Sequence, residues 1–189
     1  MRRYALPILL VVLLGIGCRG RREADGRAMR SYSAPDPDQA GAELERLGGK
    51  VKVERDAAGR NPVVTIDLEE KRIRDADLKH LEAFADKPIL LDLSGTAVGD
   101  EGLVHLRGLS RLRWLRLRGT PVSDAGLLQL EGLEHLSFLD LHGTRVDDAG
   151  MAHLRGLTRL RTLDVGGTRV TNAGIKDLKK ALPKVEISR

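Results

Sequence analysis

Carboxylates recur at a nearly constant spacing along this sequence, a pattern that could support acid–base chemistry. Aspartate occupies positions 67, 92, 140 and 164, and Arg116 takes the place between the second and third of them. Side by side, such groups could act as general acid and base in a hydrolase, and Asp67 with Asp92 could hold calcium. An open face would leave these carboxylates solvated, and no other oxygen ligands are evident nearby. We therefore expect a solvated face with no metal, no cofactor and no enzymatic activity.

Aromatic and arginine residues follow the same spacing and indicate a binding surface. Trp114, the only tryptophan, and Phe138 are 24 residues apart, and neither has an evident packing role there. Aromatic and arginine side chains are the usual anchors of protein interfaces. The alternative is that Trp114 packs down on its neighbours and covers the surface. The candidate binding residues are Trp114, Arg116, Arg118, Phe138, Asp140, His142 and Asp92.

The histidines do not form a recognisable chemical site. His80, His105 and His153 fall in one column with Gln129 and Asp177, and we expect this column to face solvent. No pair of histidines or cysteines has metal-ligand spacing. The sequence also lacks a nucleophile elbow and a phosphate-binding loop.

A repeated phrase must position all of these residues. LRLRGTPVSDAGLLQLEGL, residues 115 to 133, returns as LDLSGTAVGDEGLVHLRGL from Leu91, LDLHGTRVDDAGMAHLRGL from Leu139 and LDVGGTRVTNAGIKDLKKA from Leu163. Leu115 and Leu117 alternate with outward arginines, which predicts a strand with one buried face. Strands of successive units should pair in parallel, about 4.8 Å apart.

The second half of each phrase predicts a turn and a short helix. The glycine of the Gly-Thr pair permits a positive φ, and the threonine hydroxyl can bond the backbone of the bend. A polar residue then stands where a helix N-cap is expected, namely Asp100, Asp124, Asp148 or Asn172. One unit cannot bury its leucines alone, so neighbouring units must stack on each other.

These phrases resemble the leucine-rich repeat family. The resemblance runs from about Ile66 to Ile187, with a weaker first copy, IDLEEKRIRDADLKHLEAF, and the Gly-Thr pair is similar to the 24-residue bacterial subtype. It implies an α/β fold, a curved right-handed solenoid of parallel strands and short helices with an N-terminal αβ cap. It also implies a concave strand face that binds protein partners.

The two ends of the repeat array are predicted to be capped. We expect residues 36–62 to form an N-terminal cap of one helix and one strand, with Val51 and Val53 pointing inward. Residues 63–189 hold the repeats and a C-terminal cap, in which Pro183 ends the last helix. Such caps cover the leucines that terminal units would otherwise expose.

The first 35 residues have a different composition. Residues 1–17 have a basic start and an apolar run too short for a membrane helix of about 20 residues, and are typical of a signal peptide. LGIGC resembles a bacterial lipobox, which implies lipidation of Cys18; an ordinary cleaved signal and an uncleaved anchor are the alternatives. Residues 18–35 are predicted to be a flexible tether. Seven arginines against two acids in the first 30 residues account for the whole net charge of +5, so the repeats offer no basic footprint for nucleic acid.

The sequence therefore predicts a module lipid-anchored to a bacterial envelope membrane and facing the periplasm or the exterior. It would bind a protein, or an envelope polymer, on its concave face. The alternatives are a structural spacer with no specific partner and a carboxylate-dependent hydrolase. We expect the protein to be a monomer.

Overall fold

The computed structural model describes residues 36–55 and 62–189. Within these ranges seven strands form one sheet in chain order. The first strand pairs antiparallel with the second, and every later pair is parallel. The strands are β1 Lys50–Glu54, β2 Val63–Asp67, β3 Ile89–Asp92, β4 Leu112–Arg116, β5 Phe138–Asp140, β6 Thr162–Asp164 and β7 Glu186–Ser188.

Short helices lie between the strands and close the other side of the core. The three α-helices are α1 Pro37–Arg46, α2 Asp124–Leu127 and α3 Asn172–Ala181. The 3-10 helices are Asp75–Phe84, Gly102–Leu106, Leu128–Leu130 and Gly150–Leu154. Within the described ranges, none of the helices has both the length and the apolar character needed to cross a bilayer.

The strand register confirms the predicted columns. Leu115 lies opposite Leu91 on one side and Leu139 on the other, and Leu139 lies opposite Leu163. All four are buried, together with the leucines and valines of the turns and helices, in one continuous aliphatic core. Each unit therefore buries its apolar face against the next, as the α/β repeat fold requires.

Each Gly-Thr pair makes the turn that follows a strand. Gly119 has φ +67°, and the equivalent glycines at 95, 143 and 167 have similar values. The hydroxyl of Thr120 donates to the carbonyl of Leu117 at 2.6 Å, and Thr96, Thr144 and Thr168 repeat this bond. The backbone N–H of Thr120 donates to the same carbonyl at 3.1 Å, so the hydroxyl adds a second donor inside the bend.

The aspartates predicted to cap the short helices have a different role. Asp100 accepts from the backbone N–H and the hydroxyl of Ser123 in the next unit, at 2.7 and 2.6 Å. Asp148 makes the same pair of bonds to Thr171, at 2.7 and 2.6 Å. All four cap assignments were therefore wrong. The three carboxylates join one unit to the next, and α3 is capped by Thr171 and not by Asn172. A related bond runs from the N–H of Asp147 to Asp124.

Hydrogen bonding to the neighbouring unit changes the acidity of one of these aspartates. The hydroxyl of Thr171, followed by its backbone N–H, lowers the pKa of Asp148 below the ordinary value of aspartate. Because folding lowers this pKa, the contact stabilises the fold above the ordinary aspartate pKa and weakens as the pH falls through the lowered value.

The glycine two residues after each aspartate makes room for the aspartate of the preceding unit. A Cβ on Gly126 would lie 2.5 Å from Oδ1 of Asp100, and one on Gly150 would lie 2.2 Å from Oδ1 of Asp124. The weaker first copy has Asp77 at this position, and no earlier unit presses an aspartate against it. This contact between units explains the recurring Asp-Ala-Gly sequence.

The N-terminal end departs from expectation in one residue. α1 begins after Asp36, which caps it by accepting from the N–H of Asp38 at 3.0 Å. In β1, Val51 packs against the core, but the inward prediction for Val53 was wrong, because its side chain is 53% exposed. At the other end α3 gives way to Leu182, as predicted, and β7 adds the last parallel strand.

Candidate functional site

The outward side chains of β2 to β6 form one surface, here called the strand face. Parallel register places the members of each outward column on adjacent strands. The residues of the strand face are Thr65, Asp67, Leu90, Asp92, Trp114, Arg116, Phe138, Asp140, Thr162 and Asp164. Arg118 and His142 lie just beyond the ends of β4 and β5.

Two aromatic rings stack at the centre of the strand face. The ring centroids of Trp114 and Phe138 are 4.8 Å apart, with an angle of 24° between the planes. The guanidinium carbon of Arg116 lies 6.0 Å from the Trp114 centroid and 5.7 Å from that of Phe138. Trp114 packs on its neighbour as the alternative prediction had it, yet it remains 42% exposed. Phe138 is half-buried beneath this contact. A partly exposed aromatic pair beside an arginine is the composition of an interface anchor.

The aspartate column is explained by local backbone geometry. Oδ1 of Asp92 accepts from the N–H of Ser94 at 2.9 Å, so that the side chain closes the end of its own strand. The same bond runs from the residue two positions later to Asp67, Asp140 and Asp164, at 2.8–3.1 Å. One oxygen of each aspartate thus accepts a hydrogen bond within a turn. This structural role explains why aspartate recurs in the column, without any catalytic role.

Arg116 replaces an aspartate in this column and binds one of its two neighbours. Its Nη1 donates to Oδ2 of Asp92 at 3.1 Å. Among the described residues, the ion pairs of Arg116 include the one with Asp92 and none with Asp140, although Asp140 lies opposite Arg116 on the adjacent strand. Asp140 is 9% exposed and accepts from the N–H of His142.

The remaining candidates lie at the edge of the strand face. The imidazole of His142 packs over Gly166, where a Cβ would lie 2.5 Å from Nδ1, and that nitrogen is 3.9 Å from Oδ1 of Asp164. Arg118 is exposed at the following turn. The structure therefore brings Trp114, Arg116, Phe138 and Asp92 into one cluster and leaves Arg118, Asp140 and His142 beside it.

A groove of about 300 Å³ opens next to Trp114, on the side of β2 and β3. Side chains of its wall that were absent from the candidate list are Thr65, Asp67, Glu69 and Leu90. These four residues align by the repeat spacing with Trp114, Arg116 and Arg118 of the later units. The spacing was therefore the signal that could have found them.

The histidines of the helix side are not simply solvated. Nδ1 of His105 is 2.9 Å from Oε1 of Glu82, and Nδ1 of His153 is 2.7 Å from Oε1 of Glu131. Both rings are partly buried, with side chains 28% and 31% exposed. The predicted solvent-facing column is thus only partly exposed at these two residues, because each reaches a glutamate of the preceding unit. Residues 36–55 and 62–189 contain no cluster of metal-ligating side chains, and Cys18 lies outside them.

Comparisons with known proteins give one family and several similar structures. A family model described as "Leucine Rich repeat" matches residues 90–106. A search of curated proteins finds no match. Similar solved structures include internalin C2 of Listeria monocytogenes, 24% identical with a TM-score of 0.48, over 58% of this chain and 44% of that one. The leucine-rich repeat ectodomain of the receptor kinase SOBIR1 of Arabidopsis thaliana is 15% identical with a TM-score of 0.48, over 82% of this chain and 92% of that one.

The family match falls on β3 and on the turn and helix that follow it, which together make up most of one repeating unit. The same unit recurs every 24 residues and contributes one parallel strand each time. This chain spans less than half the length of the internalin that it resembles. Period, sheet and family match agree: residues 90–106 match the leucine-rich repeat family, and the repeated units around them build a leucine-rich repeat solenoid.

Proposed function

We propose that this protein is a binding module that engages a protein partner on its strand face. One observation carries the proposal: Trp114 and Phe138 stack in the open, with Arg116 over both rings. Burial of such a pair in a partner would remove a large apolar area from water, at about 25 cal/mol per Å². Aromatic and arginine residues also dominate the energetics of known interfaces.

The size of the strand face sets the affinity expected of it. Five strands spaced about 4.8 Å apart give a width of roughly 20–25 Å. This is near the lower limit of a standard interface, which takes about 800 Å² from each partner. We therefore expect modest affinity for a single contact, increased if the protein is held on a membrane with its partner.

The alternative functions explain fewer of these features. A structural spacer would leave the exposed aromatic pair without a reason. A hydrolase would need carboxylates placed for proton transfer, whereas those of the strand face each give one oxygen to a backbone turn. An envelope polymer could also stack on the aromatic rings, and the experiment below separates it from a protein.

Removal of the two rings tests the proposal. We expect the double variant Trp114→Ala/Phe138→Ala to lose at least about tenfold in partner recovery, which corresponds to about 1.4 kcal/mol. The measurement is a crosslinking pull-down from envelope extract with the full-length protein as bait. The matched control is Val104→Ala/Leu128→Ala, which removes two exposed apolar side chains of the helix side, 46% and 44% exposed.

Three results would contradict the proposal. Equal recovery by the double variant and the wild type would favour a spacer. Equal loss in the helix-side control would place binding elsewhere. Recovery that survives digestion of the extract by protease would identify an envelope polymer as the partner.

We further propose that Cys18 carries the membrane anchor and places the repeats at the surface of a bacterial envelope membrane. The support is the sequence alone, since LGIGC resembles a lipobox and holds the only cysteine. Several acyl chains on one residue would hold firmly, at about 0.8 kcal/mol for each buried CH₂.

Cys18→Ala tests this anchor. We expect the wild type to incorporate radiolabelled palmitate and to sediment with membranes. The variant should show no label and should appear in the soluble fraction. Wild-type protein that is soluble and carries no palmitate would favour an ordinary cleaved signal. A Cys18→Ala variant that still sediments with membranes would favour an uncleaved anchor.

A further inference from the structure

The groove beside Trp114 differs from the rest of the strand face because it joins an apolar wall to acidic groups that cations compensate only in part. Its wall is formed by Leu90 and the Trp114 ring, and its rim by Asp67, Glu69 and Asp92. We infer that this groove receives a lysine or arginine side chain of the protein partner. The inference rests on the proposed function and adds to it the chemistry of the partner.

The apolar wall suits the stem of such a side chain. Lysine and arginine pack their methylene groups along apolar surface and keep the charged end in water or near an acid. Leu90 is half-buried, and Trp114 is exposed over 42% of its surface. A cation near the indole face would also gain a cation–π contact of about 0.5–1 kcal/mol at an exposed site.

The acidic rim supplies the charge for the end of the side chain. The side chain of Asp67 is 40% exposed, and its described partner ion is Lys50, at 3.8 Å and itself 70% exposed. Glu69 is exposed and has no ion pair among the described residues. Arg116 is already engaged, since it binds Asp92 and lies over the aromatic rings. Two carboxylates at the β2 end of the groove are therefore available to an incoming cation.

The volume and the charge together exclude other occupants. About 300 Å³ is at the lower end of ligand pockets, which run from about 300 to 1,000 Å³, so the groove fits one long side chain better than a folded element. An acidic side chain would meet the like charges of Asp67 and Glu69, since Arg116, which also lines the groove, already binds Asp92. A purely apolar side chain would cover the rim and leave those carboxylates poorly solvated.

The single tryptophan of the chain gives a direct readout, since its fluorescence reports on this groove alone. The probes are hexalysine and hexaarginine peptides, with hexaglutamate for comparison, titrated into the full-length protein in detergent. We expect a saturable change in Trp114 emission with the cationic peptides that weakens as salt rises. Asp67→Asn/Glu69→Gln should weaken that binding at least about tenfold. The matched control is Glu45→Gln/Glu134→Gln, which removes two exposed carboxylates that do not line the groove. This control should bind the cationic peptides as the wild type does.

Several outcomes would overturn the inference. An equal response to hexaglutamate, or an unchanged response in Asp67→Asn/Glu69→Gln, would show that the rim does not select a cation. If the cationic peptides do not bind but partner recovery still depends on Trp114 and Phe138, only this inference is overturned. If the cationic peptides bind but the variant Trp114→Ala/Phe138→Ala recovers as much partner as the wild type, the proposed function is overturned instead.

Discussion

Leu139→Ala is expected to lower the free energy of unfolding by about 2–5 kcal/mol, the usual cost of a buried leucine-to-alanine change. Leu139 is fully buried in β5, between Leu115 of β4 and Leu163 of β6. The cavity opens at the centre of the stack, where both neighbouring units rely on this side chain for burial. Urea denaturation followed by circular dichroism measures the change.

Leu128→Ala is the matched control for this variant. It removes the same atoms from a side chain that is 44% exposed, so it should cost less than about 1 kcal/mol. Hydrogen exchange adds a second readout, because loss of protection should extend from β5 to β4 and β6 in the Leu139 variant. Equal costs for the two leucines, or a loss confined to β5, would contradict mutual burial of the units.

Gly150→Ala is expected to destabilise the protein by about 1–3 kcal/mol, as overpacking of a close contact does. The new Cβ would lie 2.2 Å from Oδ1 and 3.0 Å from Cγ of Asp124, and 3.1 Å from Leu127. Asp124 must then move, and its bond from the N–H of Asp147 is lost or strained. Backbone strain does not contribute to this cost, because Gly150 is not among the glycines with positive φ.

The control for this prediction lies six residues along the same unit. Gly156 has no neighbouring atom within 4 Å of a built Cβ, and its φ is also outside the left-handed region. Gly156→Ala should therefore be neutral or slightly stabilising, since alanine restricts the unfolded chain. Thermal melts of the two variants compare them directly. Equal melting temperatures would mean that the contact between Asp124 and Gly150 does not restrict the stack.

The fold was predictable because its main determinants lie within each unit. The alternation at Leu115 and Leu117 sets the buried face of a strand, and the period of 24 residues then sets the register of all the parallel strands. Once register is known, the adjacency of Trp114 and Phe138 follows, and the structure finds their rings 4.8 Å apart.

The parts that were missed depend on how far a polar side chain reaches. Asp100 reads locally as a helix cap, but its carboxylate reaches Ser123 of the next unit. His105 reads as solvated, but it meets Glu82 of the preceding unit. Local propensity cannot choose between a partner in the same turn and one 23 residues away, because both offer a donor at hydrogen-bond distance. The recurring glycine after each aspartate was the available signal, since it marks the place where a second unit approaches.

The groove shows the same limit at the functional site. Asp67 belongs to the predicted aspartate column and Glu69 follows it by two residues, yet nothing in their spacing separates a carboxylate that closes a turn from one that is open to a partner. The structure shows which carboxylates are open: Arg116 binds Asp92, so no arginine pairs with Asp67 or Glu69 at the β2 end of the groove among the described residues. Columns of a repeat predict neighbours, whereas the pairing of charges within a column depends on side-chain conformation.

The central claim is that partners bind the strand face and not the helix side. Site-specific photocrosslinking in living cells tests it most directly, with benzoylphenylalanine in place of Phe138 on the strand face and in place of Leu128 on the helix side. We predict a defined crosslinked protein band from position 138 and none from position 128. A band from position 128 alone, or no band from position 138, would contradict the account.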